Sequence, residues 1–156
     1  MSIRWLYRVW RRLPSPLQQA YLWSTGARFI VGVSGLITDD EGRVLLLRHD
    51  YRRTGRWGLP GGWLKGNEGP AGGLRRELRE ETGLEIEVGP IVAAYRSRGL
   101  RRLNLVYRCR VRGGQLILGS EIGAAHYFGL HELPADLCPE QVEFVQRLSR
   151  VTAADS

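Results

Sequence analysis

Hydrophobic and polar positions alternate with several different periods along this chain. From Ile30 to Ile37 the residues are small and β-branched, which reads as a strand. Asp39-Asp40-Glu41-Gly42 has turn chemistry, and Val44 to Leu47 is a second apolar run, so the two segments are expected to form a hairpin. Asp50 to Gly58 is polar and arginine-rich, a loop. Leu59-Pro60-Gly61-Gly62 is punctuated by Pro and Gly and is expected to lie outside regular structure. Pro70 suits the first position of a helix that runs to about Thr82, with Gly83 as its stop. Leu84 to Arg96 and Leu103 to Arg112 read as strands, and Gly113-Gly114 turns the chain into Gln115 to Leu118. Ala125 to Leu130 reads as a short strand, and Pro139 to Arg150 as a closing helix with Val142, Val145 and Leu148 on its apolar face. Hairpins outnumber βαβ units, so the class is α+β, a sandwich with a mixed sheet.

The first 28 residues follow a different pattern. Leu6, Val9, Trp10 and Leu13 recur at helical spacing, with Arg4, Arg8, Arg11 and Arg12 between them. This predicts a short basic amphipathic helix that stops at Pro14 and Pro16, followed by a second short helix over Leu17 to Trp23. Its aromatic surface, Trp5, Trp10 and Trp23, is expected to pack on the domain or across a homodimer. The other reading of the same stripe is a membrane-surface helix. The chain therefore divides into an arm over 1–28, a domain over 29–150 and a tail over 151–156.

Composition narrows the class. The chain has 156 residues, of which 43% are apolar and 25% charged, as in an ordinary single globular domain. The longest run of Val, Leu and Ile is Val44 to Leu47, far below the roughly 20 residues of a membrane helix. No secretory signal is visible and the two cysteines, Cys109 and Cys138, lack metal spacing. Reduced, buried thiols in a cytoplasmic protein are expected. The net charge is +7, and every cation but Lys65 is arginine. That balance suits polyanionic ligands, and equally an arginine-rich codon usage.

The chemistry concentrates in Gly62 to Leu84. Glu77, Glu80 and Glu81 stand at i, i+3 and i+4 of the expected helix, so they share one face, while Leu74 and Leu78 can bury another. Three adjacent carboxylates repel and need a counterion. Arg75, Arg76 and Arg79 can supply part of it, and a hard divalent cation, Mg²⁺ or Mn²⁺, can supply the rest. By themselves these residues would equally make a solvated, salt-bridged helix face. The glycines Gly61-Gly62 ahead of the helix let main-chain atoms approach a ligand. No P-loop, dinucleotide fingerprint or Ser-His-Asp arrangement is present, and His49, His126 and His131 are scattered, as structural histidines are.

Taken together, Gly62, Glu68, Arg76-Glu77-Leu78, Glu80-Glu81 and Gly83-Leu84 resemble the Nudix box of the Nudix hydrolases at all nine of its specified positions. Trp57-Gly58-Leu59-Pro60-Gly61-Gly62 resembles the lead-in to that box. Tyr127-Phe128 and Glu132-Leu133-Pro134 are similar to the family's final strand and turn. The resemblance spans about Phe29 to Arg150. It implies an α/β/α sandwich with a mixed sheet, here carrying a helical arm. It implies a metal-dependent hydrolase that cleaves the pyrophosphate linkage of a nucleoside diphosphate joined to another moiety. By resemblance Glu77, Glu80, Glu81 and the Gly62 carbonyl bind Mg²⁺ or Mn²⁺ or orient its water, and Arg76 and Glu68 pair to hold the loop on the helix. The general base is one of the box glutamates or Glu121, on the loop before the last strand.

Substrate choice lies outside the box. The proline typical of the ADP-ribose subgroup is Gly99 here, and the tyrosine of the diadenosine-polyphosphate subgroup gives way to Arg101 and Arg102. These absences point to a nucleoside triphosphate or another nucleotide-sugar-like substrate. Arg48, Arg52 and Arg56 flank the loop before the box and can bind its phosphates. Arg96, Arg98, Arg101 and Arg102 gather at a hairpin tip, as phosphate ligands or as solvated surface. The competing reading is a nucleotide- or RNA-binding module on the same fold, or an RNA 5′-end pyrophosphohydrolase.

Overall fold

The computed structural model describes residues 3–26, 29–97, 101–142 and 145–146. Two helices, α1 (Ile3–Arg12) and α2 (Ser15–Thr25), precede the domain. The domain follows the order β1 (Ile30–Ile37), β2 (Val44–His49), β3 (Trp57–Gly58), β4 (Gly61–Trp63), α3 (Pro70–Thr82), β5 (Leu84–Arg96), β6 (Arg102–Gly114) and β7 (Ile122–Phe128). One sheet has the order β4-β1-β6-β5 and the other β3-β2-β7. β1 runs parallel to β6, and the remaining pairs are antiparallel. The fold is α+β with a mixed sheet.

The period of two along the strands creates two cores. Val33 and Ile37 of β1, Leu45 of β2 and Tyr107 and Cys109 of β6 face Leu74 and Leu78 of α3. Leu36, Val44, Leu46 and Val106 face the opposite way, toward Leu59, Leu137 and Val145. The sheets therefore lie between α3 on one side and the chain end on the other. There residues 139–142 and 145–146 are helical. Leu148 and the 151–156 tail lie outside the described residues.

α3 has the boundaries its sequence dictates. Pro70 opens it, Leu74 and Leu78 form its buried stripe, and no β-branched residue intervenes before Thr82. Gly83 closes it in the left-handed conformation (φ 69°), its N–H donating to the Arg79 carbonyl at 3.0 Å. The irregular segment after β6 then seals the helix end, with Ile117 N–H donating to Thr82 O and Gly119 N–H to Glu81 O, both at 2.9 Å.

Three expectations need correction. β1 and β2 do not form a hairpin. The turn itself exists, with Gly42 N–H donating to Asp39 O at 3.1 Å, but pairing ends at a single Thr38–Val44 bridge. Both edges of β1 are already taken by β4 and β6, so β2 joins the second sheet. Gly61-Gly62 belongs to a strand, β4, because Gly61 pairs so closely with β1 that a Cβ there would lie 2.1 Å from Val33 O. The last strand runs over Ile122–Phe128, set by its pairing with β2, and not over 125–130. In the arm, α2 buries no residue and Trp23 stays 67% exposed. Trp10 instead stacks edge-on against Tyr21 at 5.4 Å; the Trp5 side chain lies outside the described ones. Of the two free cysteines, Cys109 is buried, with its thiol pushed up to about 12 by desolvation, whereas Cys138 is only half-buried. No helix among the described residues is long and apolar enough to cross a membrane.

Leu78 touches the first core from the centre of α3 and is fully buried. Leu78→Ala is expected to cost about 2–5 kcal/mol, read as a lower urea midpoint with little change in slope.

Candidate active site

The site forms where α3 meets β4. Its floor is the glycine pair. A Cβ on Gly62 would lie 2.5 Å from the Glu77 carboxyl carbon, so the Glu77 carboxylate occupies the space a side chain would need. Gly61 N–H donates to Glu81 Oε2 at 2.8 Å. Both carboxylates therefore rest on the same two residues of backbone, brought there by the i, i+4 geometry of α3.

Glu81 is the unusual member. Desolvation pushes its carboxyl up to about 8, the neighbouring Glu77 and Glu121 add to that shift, and the Gly61 hydrogen bond and Arg52 oppose it. Its Oε1 stands 4.0 Å from Nδ1 of His49. Burial, and then Arg52, lower His49 to about 4, so at neutral pH this imidazole is uncharged and the contact is not an ion pair. His49 Nε2 is buried without a hydrogen-bond partner.

The remaining carboxylates share one cation. Arg76 holds Glu68 in a two-point grip, Nη2 to Oε1 at 2.6 Å and Nε to Oε2 at 3.0 Å. Its Nη1 reaches Glu77 at 2.8 Å and Glu80 at 3.1 Å, and its Nη2 donates to Trp63 O at 3.2 Å. Glu68 also accepts from Lys65 N–H, and the Arg76 hydrogen bond above all lowers its carboxyl to about 2. The Glu68–Arg76 pair thus clips the loop onto the helix, as the family pattern implies. Arg79 is engaged elsewhere, with Glu85 at 2.6 Å.

Chemically, Glu77, Glu81 and the Gly62 carbonyl are hard oxygen donors suited to Mg²⁺ or Mn²⁺. Glu80 is largely exposed and bonded to Arg76. Among the described residues no three acidic, histidine or cysteine side chains converge as a ready-made metal cage. Two carboxylates are nonetheless a sufficient protein share for Mg²⁺, which keeps waters and shares substrate phosphates. The like-charge crowding around Glu81 is what a cation would relieve.

A cleft of about 670 Å³ opens from Gly61-Gly62. Arg52 lines it, but Arg48 and Arg56 do not. Both are drawn to Asp50, at 3.3 and 3.1 Å from its Oδ1. Glu121 is exposed on the loop before β7, close enough to Glu81 to raise its pKa. The far wall was not singled out as a unit from sequence. There Ser97 Oγ donates to Glu140 at 3.0 Å and accepts from Arg102 Nε at 3.0 Å and Asn104 Nδ2 at 2.8 Å. Arg102 also lies over the Trp63 ring, 5.8 Å from its centroid. The available signal was Asn104, a polar residue inside the apolar stretch of β6 and itself buried.

The two shifted groups give opposite pH dependences. Glu81, raised from 4.5 to about 8, favours the fold at low pH, and that contribution is lost as pH rises through about 8. His49, lowered from 6.5 to about 4, favours the fold above 6.5, and that contribution is lost as pH falls through about 4. Between these ranges the two oppose each other. Above pH 6.5 Glu81 acts alone. In EDTA, denaturant midpoints of the wild type are expected to fall between pH 6.5 and 8, and those of Glu81→Gln to stay flat.

Residues 28–148 match the family model described as NUDIX domain. The chain is 33% identical over 123 residues to a MutT-like protein of Streptomyces ambofaciens, covering 79% of this chain and 71% of that one. It is also 33% identical over 109 residues to an ADP-ribose pyrophosphatase of Methanocaldococcus jannaschii, covering 67% of this chain and 64% of that one. The crystal structure of a MutT protein from Methanosarcina mazei superposes with a TM-score of 0.69 at 26% identity, over 81% of this chain and 97% of that one. The domain match, the MutT-like relatives and the carboxylate-bearing helix on its glycine pair agree, and this chain belongs to the Nudix family of pyrophosphohydrolases.

Proposed function

We propose that this enzyme hydrolyses the pyrophosphate linkage of a nucleoside diphosphate joined to a second moiety, a nucleoside triphosphate or a nucleotide-sugar-like molecule. The observation that supports the reading is that Glu77 and Glu81 rest on Gly61-Gly62, the glycine pair that also lines a cleft of about 670 Å³. That volume lies within the range of small-ligand sites.

Each part of the cleft has a role. Trp63 with Arg102 offers a flat aromatic and cationic face for a base. Asn104, held by Ser97, supplies polar specificity at the back wall. Arg52, the only one of the three flanking arginines on the cleft, meets the diphosphate. Glu77, Glu81 and the Gly62 carbonyl would hold the divalent cation, with Glu80 nearby on the same helix. When bound, Mg²⁺ or Mn²⁺ neutralises the diphosphate oxygens and activates water. Glu81 keeps Oε2 on the Gly61 N–H, which leaves Oε1 to hold a proton or, in its place, to ligate the cation the site would bind. Glu121 is the candidate base, since it is exposed beside the site and free of the Arg76 network. Water adds to one phosphorus, the bridging P–O bond breaks, and the products are a nucleoside monophosphate and the phosphorylated second moiety, or pyrophosphate from a triphosphate.

A panel of nucleoside triphosphates, ADP-ribose, sugar nucleotides and a 5′-triphosphorylated RNA tests the reading. Turnover of at least one member is expected with Mg²⁺ and background rates with EDTA. No turnover of any member by folded protein would overturn it. On the best substrate, Glu81→Gln at saturating Mg²⁺ is expected to lose about 10²-fold or more in kcat, while the fold survives. Glu85→Gln, whose partner is Arg79 on the exposed surface, is expected to keep a near-wild-type rate. Equal rates for both variants would remove Glu81 from the mechanism.

A further inference from the structure

The arm is the feature that the proposed hydrolysis leaves unused. Residues 1–28 hold Arg4, Arg8, Arg11, Arg12 and Arg28 and no acid, so five of the seven net positive charges lie in this segment. Within α1 the charges are segregated. Arg8, Arg11 and Arg12 share one side at helical spacing and are exposed, while Val9 and Trp10 follow the opposite side. In sequence Arg4 extends the first row and Leu6 the second.

α2 folds against this helix at the prolines. Gln18 Nε2 donates to Trp10 O at 2.7 Å and to Leu13 O at 3.1 Å, which satisfies carbonyls at the end of α1. Trp10 packs edge-on to Tyr21. This corner hides little apolar surface. Tyr7 is 66% exposed, Leu17 55%, Tyr21 56%, Leu22 55% and Trp23 67%. Such a concentration of exposed aromatic and aliphatic area calls for a cover.

We infer that the arm is a docking element for an anionic lipid bilayer surface. Three occupants compete, and charge and chemistry separate them. A second copy of the arm would bring an equally basic, acid-free segment against the first, and like charges would oppose the contact. A nucleic acid would satisfy the arginines but would offer no apolar phase for Val9, Leu17 and Leu22. An anionic bilayer interface satisfies both sides at once. Lipid phosphates pair with the arginine row, and Trp, Tyr and Leu enter the boundary of the acyl chains. The arm would hold the enzyme at the surface without spanning it.

Flotation of the full-length protein with two vesicle preparations tests this. One is phosphatidylcholine alone and the other phosphatidylcholine mixed with phosphatidylglycerol. Partition to the anionic vesicles is expected to be at least about tenfold stronger and to weaken with salt. The triple variant Arg8→Glu, Arg11→Glu, Arg12→Glu and the double variant Leu22→Ser, Trp23→Ser are each expected to lose that binding. Both are expected to hydrolyse a soluble substrate at the wild-type rate, which also reports that the domain is folded. Equal binding to both vesicles, no binding to either, or full binding by the triple variant would overturn the inference. So would binding of an RNA oligonucleotide through the same arginines without vesicle binding, or a lipid-free dimer that the double variant abolishes.

Discussion

The distance between α3 and the β4 backbone is set by two residues without side chains. Gly61 must be glycine because its φ of 140° and its 2.1 Å approach to Val33 O leave no room for a Cβ. Gly62 must be small because Glu77 fills the volume above it. With the helix this close, Glu81 is drawn out of water and onto a backbone N–H, and its affinity for a proton rises. A longer separation would hydrate the Glu81 carboxylate and return it to an ordinary surface acid. The packing constraint and the electrostatic character of the site therefore have one origin.

Arg76 completes that arrangement by neutralising some carboxylates and leaving others. It grips Glu68 at two points and touches Glu77 and Glu80. Glu81 receives no such partner; its ionic neighbour is a histidine kept neutral by burial. One guanidinium thus stabilises the loop and the helix N-terminal to the site, while the residue nearest the glycine floor retains an unmet demand for positive charge. A lysine could not serve in place of Arg76, because a point charge cannot reproduce the planar two-point contact with Glu68 while also reaching Glu77.

Much of this was legible in the sequence because it depends on local spacing. The bounds of α3 and the sharing of one face by Glu77 and Glu81 follow from helical geometry, and the pairing of Arg76 with Glu68 is what the family resemblance implies. What was not legible depends on which strands compete for an edge. The turn at Asp39–Gly42 was read correctly, yet β2 left β1 because β6, from a distant part of the chain, takes that edge in parallel. The fate of the arginines was hidden for the same reason. Arg48, Arg52 and Arg56 look equivalent in a polar loop. Only the placement of Asp50 between Arg48 and Arg56 withdraws those two and leaves Arg52 for the cleft. Glu140 and Ser97, which orient Arg102, are 43 residues apart in sequence.

This distribution of cations bears on how an anionic substrate can enter at all. Two unit charges about 4 Å apart interact by about 4 kcal/mol at the effective dielectric of a protein surface. A diphosphate brought beside Glu77 would meet repulsion of that order, and Glu81 would add to it wherever its carboxyl has lost its proton. The fixed cations near that end are largely committed: Arg76 to three glutamates, Arg48 and Arg56 to Asp50. Arg52 is not enough by itself to offset two carboxylates, although its field already acts on both Glu81 and His49. A basic net charge therefore does not make this corner of the molecule attractive to phosphate. On the proposed reading the attraction would come with a divalent cation, and the hard oxygen donors at the glycine floor are the groups suited to hold it.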